Sequence, residues 1–290
     1  MGQTLGILFA VIAMLGWGFG DFFIQKSVRK IGDMSSLFFI TLAGAISLIP
    51  FVYQDMHFMF DSYFNFFLLF FGSAILFLAA VLDFEALKVG KLSVIEPLWS
   101  LEIVFASLLS FIVLGEVLES NQLVSILSLF IGLILVSLRN PDVFKKFFFE
   151  RGVFIGILSA SMMGTANFFM GWMARETDPL FAKWFFDCVL VILSLIIILK
   201  RKEFRLLKKE FMKNKKMVLS MCIFDNIAWT FYSMSMALIP ISIATSFSES
   251  YIILAVLLGV YVNKEKLKKH QIVGLVIAII SAIYLAYSIG

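Results

Sequence analysis

The chain has 290 residues, of which 61% are hydrophobic and only 15% charged, against about 45–50% and about 25% in soluble globular domains. That balance excludes a soluble core, and the apolar stretches leave only short loops, with no room for a soluble domain. A formal net charge of +4 is too small to argue for an acidic partner, so the placement of the charges says more than their sum.

A membrane-spanning helix needs about 20 mostly apolar residues. Ten such stretches follow one another, roughly 4–25, 34–53, 64–87, 93–115, 121–138, 152–174, 180–199, 217–238, 242–263 and 270–289. Span 1 opens on Met1-Gly2-Gln3-Thr4, without the basic start of a secretory leader and with too long an apolar run, so it is expected to be retained. Gly6 stands where a myristoylation signal wants Ser or Thr. On a helix, Met14, Trp17, Gly18, Asp21 and Gln25 share one face. Span 3 ends with Asp83 and Glu85 close to Lys88 and Lys91, which reads as interfacial ion pairing. Span 4 carries Glu96, Trp99 and Glu102 within an arc of about 120°, with Pro97 loosening its start. Glu116 at its end, like Glu265 farther on, reads as a cap or loop anchor.

In span 6 Asn167 sits with Met163, Gly164 and Gly171. Span 7 places Lys183 one turn before Asp187, so that acid reads equally as an ion-pair partner and as a transport residue. Trp172 and Trp184 read as members of the interfacial aromatic belt. Span 8 lines up Asp225, Trp229, Tyr232 and Ser233, a carboxylate above an aromatic wall that suits a cation or an amphipathic solute. Span 9 stacks Ser242, Thr245, Ser246 and Glu249 along one side. In span 10, Gly274, Ala278, Ala282 and Ala286 recur every four residues, as do Gly16 and Gly20, and Gly152 and Gly156. Such series let helix backbones approach closely, either within the chain or across a dimer. Cys188 and Cys222, the only cysteines, lie in apolar segments and read as small packing residues. The 34 Phe and 14 Met most often mean lipid contact and packing.

The sequence repeats itself after about half its length. Gly6, Gly18, Asp21, Phe22 and Phe23 fall on Gly152, Gly164, Asn167, Phe168 and Phe169. Val104-Phe105-Ala106, Glu116, Leu118 and Gln122 meet Ile253-Leu254-Ala255, Glu265, Leu267 and Gln271. Residues 1–140 and 141–290 are therefore read as two five-span copies, and an odd number of spans makes the second copy enter the membrane from the opposite side. Charge gives an orientation: of the 24 Lys and Arg, all but Arg175 and Lys183 fall in the loops on one side. By the positive-inside rule that side is cytoplasmic and both termini are extracytoplasmic in a multi-pass cell-membrane protein. The basic run from Lys200 to Lys216 is read as a topology-setting loop near anionic headgroups and not as a nucleic-acid site.

Leu101-Glu102-Ile103-Val104-Phe105-Ala106 followed by Gly115-Glu116, together with Gly16-Trp17-Gly18, resembles the signature of EamA-type members of the drug/metabolite transporter superfamily. The second copy, Ser250-Tyr251-Ile252-Ile253-Leu254-Ala255 and Lys264-Glu265, is more divergent, with Tyr251 where the signature has Glu and Glu249 two residues earlier. This resemblance implies two inverted five-helix halves around a central cavity and gradient-driven export, and it leaves the solute open.

Charged groups in a bilayer interior usually face a cavity or a partner. The deep acids expected here are Asp21, Asp83, Glu96, Glu102, Asp187, Asp225 and Glu249, with almost no base at comparable depth. Carboxylates in such a place are candidates to exchange protons. The expected function is secondary export of a small metabolite, amino acid or organic cation, with proton antiport as the coupling. Asp21, Glu102, Asp225, Glu249, Glu96 and Asn167 are expected on the substrate or proton pathway, and Trp17, Trp99, Trp229 and Tyr232 as cavity walls. The alternatives are an uncoupled facilitative carrier and a polytopic enzyme working through intramembrane carboxylates. Against the enzyme, His57 and His270 fall in separate loops, and no His-Glu-x-x-His, Gly-x-Ser-x-Gly or Cys-x-x-Cys pattern occurs. No cofactor, metal or catalytic residue is expected. The expected partners are a small-molecule substrate and the lipid bilayer, and either a monomer or a dimer is compatible with the sequence.

Overall fold

A computed structural model of the chain describes residues 2–89, 98–138, 151–263 and 266–288. Within them the structure is helical without strands. The helices are α1 (Gly2–Ile31), α2 (Asp33–Val52), α3 (Tyr63–Val89), α4 (Leu101–Leu114), α5 (Ser120–Ser137), α6 (Arg151–Glu176), α7 (Pro179–Lys200), α8 (Phe204–Leu238), α9 (Ile241–Glu249), α10 (Tyr251–Asn263) and α11 (Lys269–Tyr287), with a short helical turn at Phe58–Asp61. Seven of them are long and apolar enough to cross a membrane, and α4 is a shorter apolar helix.

Two expectations about the elements need correction. The span expected at 242–263 is two helices, α9 and α10, interrupted at Ser250. The span expected from 217 belongs to a helix that begins at Phe204 and has non-helical torsions at Asn214 (φ −121°, ψ 21°). Its basic, amphipathic first third is too polar to read as a span, yet it helps to form the same element. The expected start of span 4, with Glu96 and Pro97, lies outside the described residues.

Polarity is distributed as the bilayer demands. Large apolar side chains such as Phe64, Phe67, Phe111, Ile112, Ile280 and Ile283 are exposed on the outer faces, while Glu102, Asn167, Lys183, Asp187, Asp225 and Glu249 are buried. A lipid-facing surface needs no polar groups, and a polar group among hydrocarbon tails finds no partner. The buried hydroxyls of Thr41, Ser73 and Ser137 donate to carbonyls one turn back, at Leu37, Leu69 and Leu133 (2.6–2.8 Å), which removes that cost without recruiting another helix.

Helices from the two halves of the chain are interleaved. α1 runs along α8, α3 along α6, α2 along α7 and α5 along α11, while α4 packs on α6 and α9. Repeat partners do the same local work: Gln122 and Gln271 each accept the backbone N–H three residues earlier, from Glu119 at 3.1 Å and from Lys268 at 3.0 Å. The loops meet at two ends. At one, Arg175 reaches the carbonyls of Met236 and Ile239 (both 2.8 Å) and pairs with Glu116 at 2.5 Å. Glu116 in turn accepts from the N–H of Ile241, 3.1 Å away. One ion pair thus completes the end of α8 and the start of α9, the anchoring role expected for Glu116. At the other end Asp33 meets Arg201 at 3.4 Å, and the His270 ring bonds the Leu138 carbonyl at 2.7 Å.

The small residues of α11 pack within the chain. A Cβ on Gly274 would stand 2.7 Å from the backbone nitrogen of Val136, and one on Gly132 would stand 2.7 Å from that of Ala278. No side chain fits between these backbones. Gly274→Leu should therefore force α5 and α11 apart and lower the thermal stability of the detergent-purified protein, at a cost of about 1–3 kcal/mol from overpacking. An unchanged melting temperature would show that this contact is not formed.

Candidate functional site

α4 and α9 begin and end where the chain breaks step. Trp99 is helical, Ser100 is a turn and α4 starts at Leu101; in the other half α9 ends at Glu249, Ser250 (φ −65°, ψ −4°) is the break and α10 starts at Tyr251. Glu102 lies two residues past the first break, in the first turn of α4, where the helix dipole favours an anion. Glu249 lies one residue before the second. Both steps are tight 3₁₀-like turns that keep their backbone bonds, Ile103 N–H to the Ser100 carbonyl at 3.2 Å and Ile253 N–H to the Ser250 carbonyl at 2.9 Å, and they change the direction of the side chains on either side.

What brings α6 to this level is Gly164, where a Cβ would stand 2.7 Å from the carbonyl oxygen of Glu102. With no side chain in the way, Asn167 on the next turn donates its amide to Glu102 Oε2 at 3.2 Å. Both residues are buried. The other amide atom of Asn167, Oδ1, is buried as well and accepts no hydrogen bond among the described residues.

An aromatic wall stands beside these acids. Trp17 on α1 meets Trp229 and Tyr232 on α8 edge to face, with ring centroids 5.3 and 5.2 Å apart, and Trp229 meets Tyr232 at 5.9 Å. Close approach of α1 and α8 makes this possible: a Cβ on Gly16 would stand 2.9 Å from the Cβ of Ala228. Tyr232 is fully buried. Thr245 already donates to the Ile241 carbonyl at 2.8 Å, so the Tyr232 hydroxyl, 2.7 Å from Thr245 Oγ1, is the donor of that pair. The carboxyls of Glu102 and Glu249 both lie within electrostatic range of this hydroxyl. Below them Ser110 and Ser242 join α4 to α9 at 3.2 Å, and every residue of α9 is buried.

A second polar cluster lies where α2, α7 and α8 meet. Lys183 is 2% exposed and pairs with Asp187 in the same helix. Its ammonium also reaches Asn226 Oδ1 at 3.3 Å. Asn226 is held in turn by the carbonyls of Ile40 and Cys222, each at 2.9 Å. Asp225 lies within electrostatic reach of both Lys183 and Asp187, and Gly44 leaves room for Asp187 and Asn226 against α2. The cluster holds one cation and two carboxylates. The sequence suggested almost no base among the deep acids and offered Lys183, one turn before Asp187, as its ion-pair partner; Lys183 is that base, and it is as buried as the acids beside it.

The residues expected at one site are divided among several places. Glu102, Asn167, Glu249, Trp17, Trp229 and Tyr232 come together. Asp225 belongs to the Lys183 cluster. Trp99 donates its indole N–H to Asp83 at 2.6 Å, beside Ser159 of α6, so Asp83 has a half-buried partner of its own; the Lys88 side chain and Lys91 lie outside the described residues. Asp21 lies in α1, with its side chain outside the described part, and Glu96 lies outside the described residues altogether. Sequence reasoning overlooked Asn226 and Arg175, whose roles depend on helices distant in sequence. Trp184 donates to the Ala45 carbonyl at 3.1 Å, so it ties α7 to α2.

A family model described as the EamA-like transporter family matches residues 4–138 and again residues 150–287. No curated protein matches the chain. A solved crystal structure, described only as that of a protein, resembles it with a TM-score of 0.76 at 14% sequence identity, over 96% of this chain and 95% of the other. At that identity the likeness carries the fold alone.

Proposed function

The chain belongs to the EamA-like transporter family, and from that premise we propose that it is a secondary transporter exporting a small organic cation or amine-bearing metabolite in exchange for protons. The observation that carries this reading is a convergence of acceptors and aromatic faces. Glu102, Glu249 and the amide oxygen of Asn167 supply hydrogen-bond acceptors, and Trp17, Trp229 and Tyr232 supply ring faces and edges, all buried or half-buried. An ammonium group satisfies both: it donates to the acceptors and is attracted to the rings. A carboxylate pair that holds either a cation or protons couples the two by competition, which is the minimum an antiporter needs.

The proposed frame is ten crossings in two inverted halves, 1–140 and 141–290, with both termini extracytoplasmic. Its support is the helix pairing, which returns to itself when the halves are exchanged: the pairing of α1 with α8 becomes that of α6 with α3, and that of α2 with α7 is unchanged. The two turns, at Ser100 and Ser250, fall at neighbouring positions of the two copies, since Ser250 aligns with Leu101. Being one of transporters, the family supports a carrier over an enzyme. Thermal unfolding of the purified protein with a panel of amines, neutral isosteres and anions at two pH values tests the substrate class, since a ligand at 100 times its Kd adds about 2.7 kcal/mol. Stabilisation by amines alone, weaker at acid pH, is the expected result. Stabilisation only by anions would overturn the substrate class, and transport indifferent to an imposed pH gradient would leave an uncoupled carrier.

A further inference from the structure

A basic recess forms where the last turns of α1 meet the interruption of α8. It is a shallow, open depression of about 360 Å³, lined by Lys26 and Lys30 from α1 and by Lys213, Asn214, Lys215 and Lys216 from α8. The break at Asn214 is what assembles it. On a continuous helix Lys213 and Lys215 point about 160° apart, whereas the non-helical torsions of Asn214 (φ −121°, ψ 21°) let both line one hollow. The nearby acid, Glu210, is engaged by the Asn214 amide at 3.1 Å. Five ammonium groups so placed repel one another and are relieved by an anion with several acceptor oxygens.

What lies next to the recess says what carries that anion. Met212 and Met217 complete its lining, and below it the outer faces of α1 and α8 are apolar. Phe19, Phe22, Leu219 and Ile223 are exposed there, and Phe23 stacks on Phe224 at 5.7 Å to make a continuous aromatic surface between the two helices. Lys26 sits over the Phe22 ring, 5.6 Å from its centroid, at the junction of charge and apolar face. A soluble anion uses only the upper part of this arrangement; an amphiphile uses both. Basic pockets between membrane helices on the Lys- and Arg-rich side recognise anionic headgroups in this manner.

We propose that the hollow formed by Lys26, Lys30, Lys213, Lys215 and Lys216 at the Asn214 break is a binding site for the phosphate-bearing headgroup of an anionic phospholipid, whose acyl chains lie along the α1 and α8 faces. Inorganic phosphate shares the headgroup chemistry without the chains, so the test separates the two. The full-length protein in neutral detergent is titrated with phosphatidylglycerol, phosphatidylcholine or inorganic phosphate, with bound lipid read by native mass spectrometry and stability by thermal unfolding. Phosphatidylglycerol is expected to stay bound and raise the melting temperature, with phosphatidylcholine and phosphate each at least tenfold weaker. Lys213→Gln with Lys215→Gln and Lys216→Gln should weaken phosphatidylglycerol binding at least tenfold, whereas Lys266→Gln with Lys269→Gln leaves it unchanged. Should the triple variant fail to fold, Lys26→Gln with Lys30→Gln tests the opposite wall with the same expectation. Equal binding of the two lipids, wild-type binding by the lysine variants, or the full effect from inorganic phosphate would overturn the assignment.

Discussion

Glu102→Gln is expected to leave a folded protein that no longer transports. Glutamine keeps the shape of the side chain and an oxygen for the Asn167 amide, whose bond to Glu102 is 3.2 Å long, so the contact between α4 and α6 survives. What disappears is the charge. A hydrogen bond to an ionised group is worth about 1.5–3 kcal/mol, so a cationic solute should bind roughly 10- to 150-fold more weakly, with tenfold for every 1.4 kcal/mol. The proton-exchange step fails outright, since an amide does not take up or release a proton in this range. Initial uptake rates in proteoliposomes measure both effects. A variant that transported the same solute at the wild-type rate would remove Glu102 from the pathway.

The second large effect concerns stability. Lys183→Met removes the cation that pairs with Asp187 near Asp225 and leaves two buried acids, 4% and 6% exposed. Removing one partner of a buried pair costs about 3–5 kcal/mol, because the remaining charge keeps its desolvation cost and loses its compensation. The melting temperature should fall sharply, and Lys183→Met combined with Asp187→Asn should recover a large part of the loss. That recovery distinguishes an electrostatic defect from a packing one. A single variant as stable as the wild type would show that Lys183 does not hold the cluster together.

How far the sequence could be read follows from what kind of signal each feature leaves. Apolar runs of about 20 residues are long, local and insensitive to neighbours, so most helix ends lie within a few residues of the expected ones. The interruption at Ser250 left no such mark, because Ile241–Glu249 and Tyr251–Asn263 are both apolar and helical, and nothing in composition separates a break from continuity. Helical spacing put Trp229 and Tyr232 on one face, and they do meet Trp17. The same spacing put Asp225 with them, yet it lies within electrostatic reach of the Lys183–Asp187 pair. A helix face is wide enough to touch two neighbours, and periodicity names the face without naming the neighbour. Trp99 shows the same limit: it shares an arc with Glu102 but turns to Asp83 on α3. Pairings such as Arg175 with Glu116 are set by which loops meet, which depends on the fold of both halves at once.

The central claim is that Glu102, Glu249 and Asn167, walled by Trp17, Trp229 and Tyr232, bind a cationic solute that the protein carries unchanged across the membrane. Counterflow tests it most directly. Proteoliposomes loaded with an excess of an unlabelled amine that stabilises the purified protein are diluted into the same amine, labelled and at trace concentration. Transient, saturable accumulation of the labelled amine, chemically intact, is the expected result, and Glu102→Gln abolishes it. No accumulation above protein-free liposomes, or recovery of the label in an altered product, would contradict it.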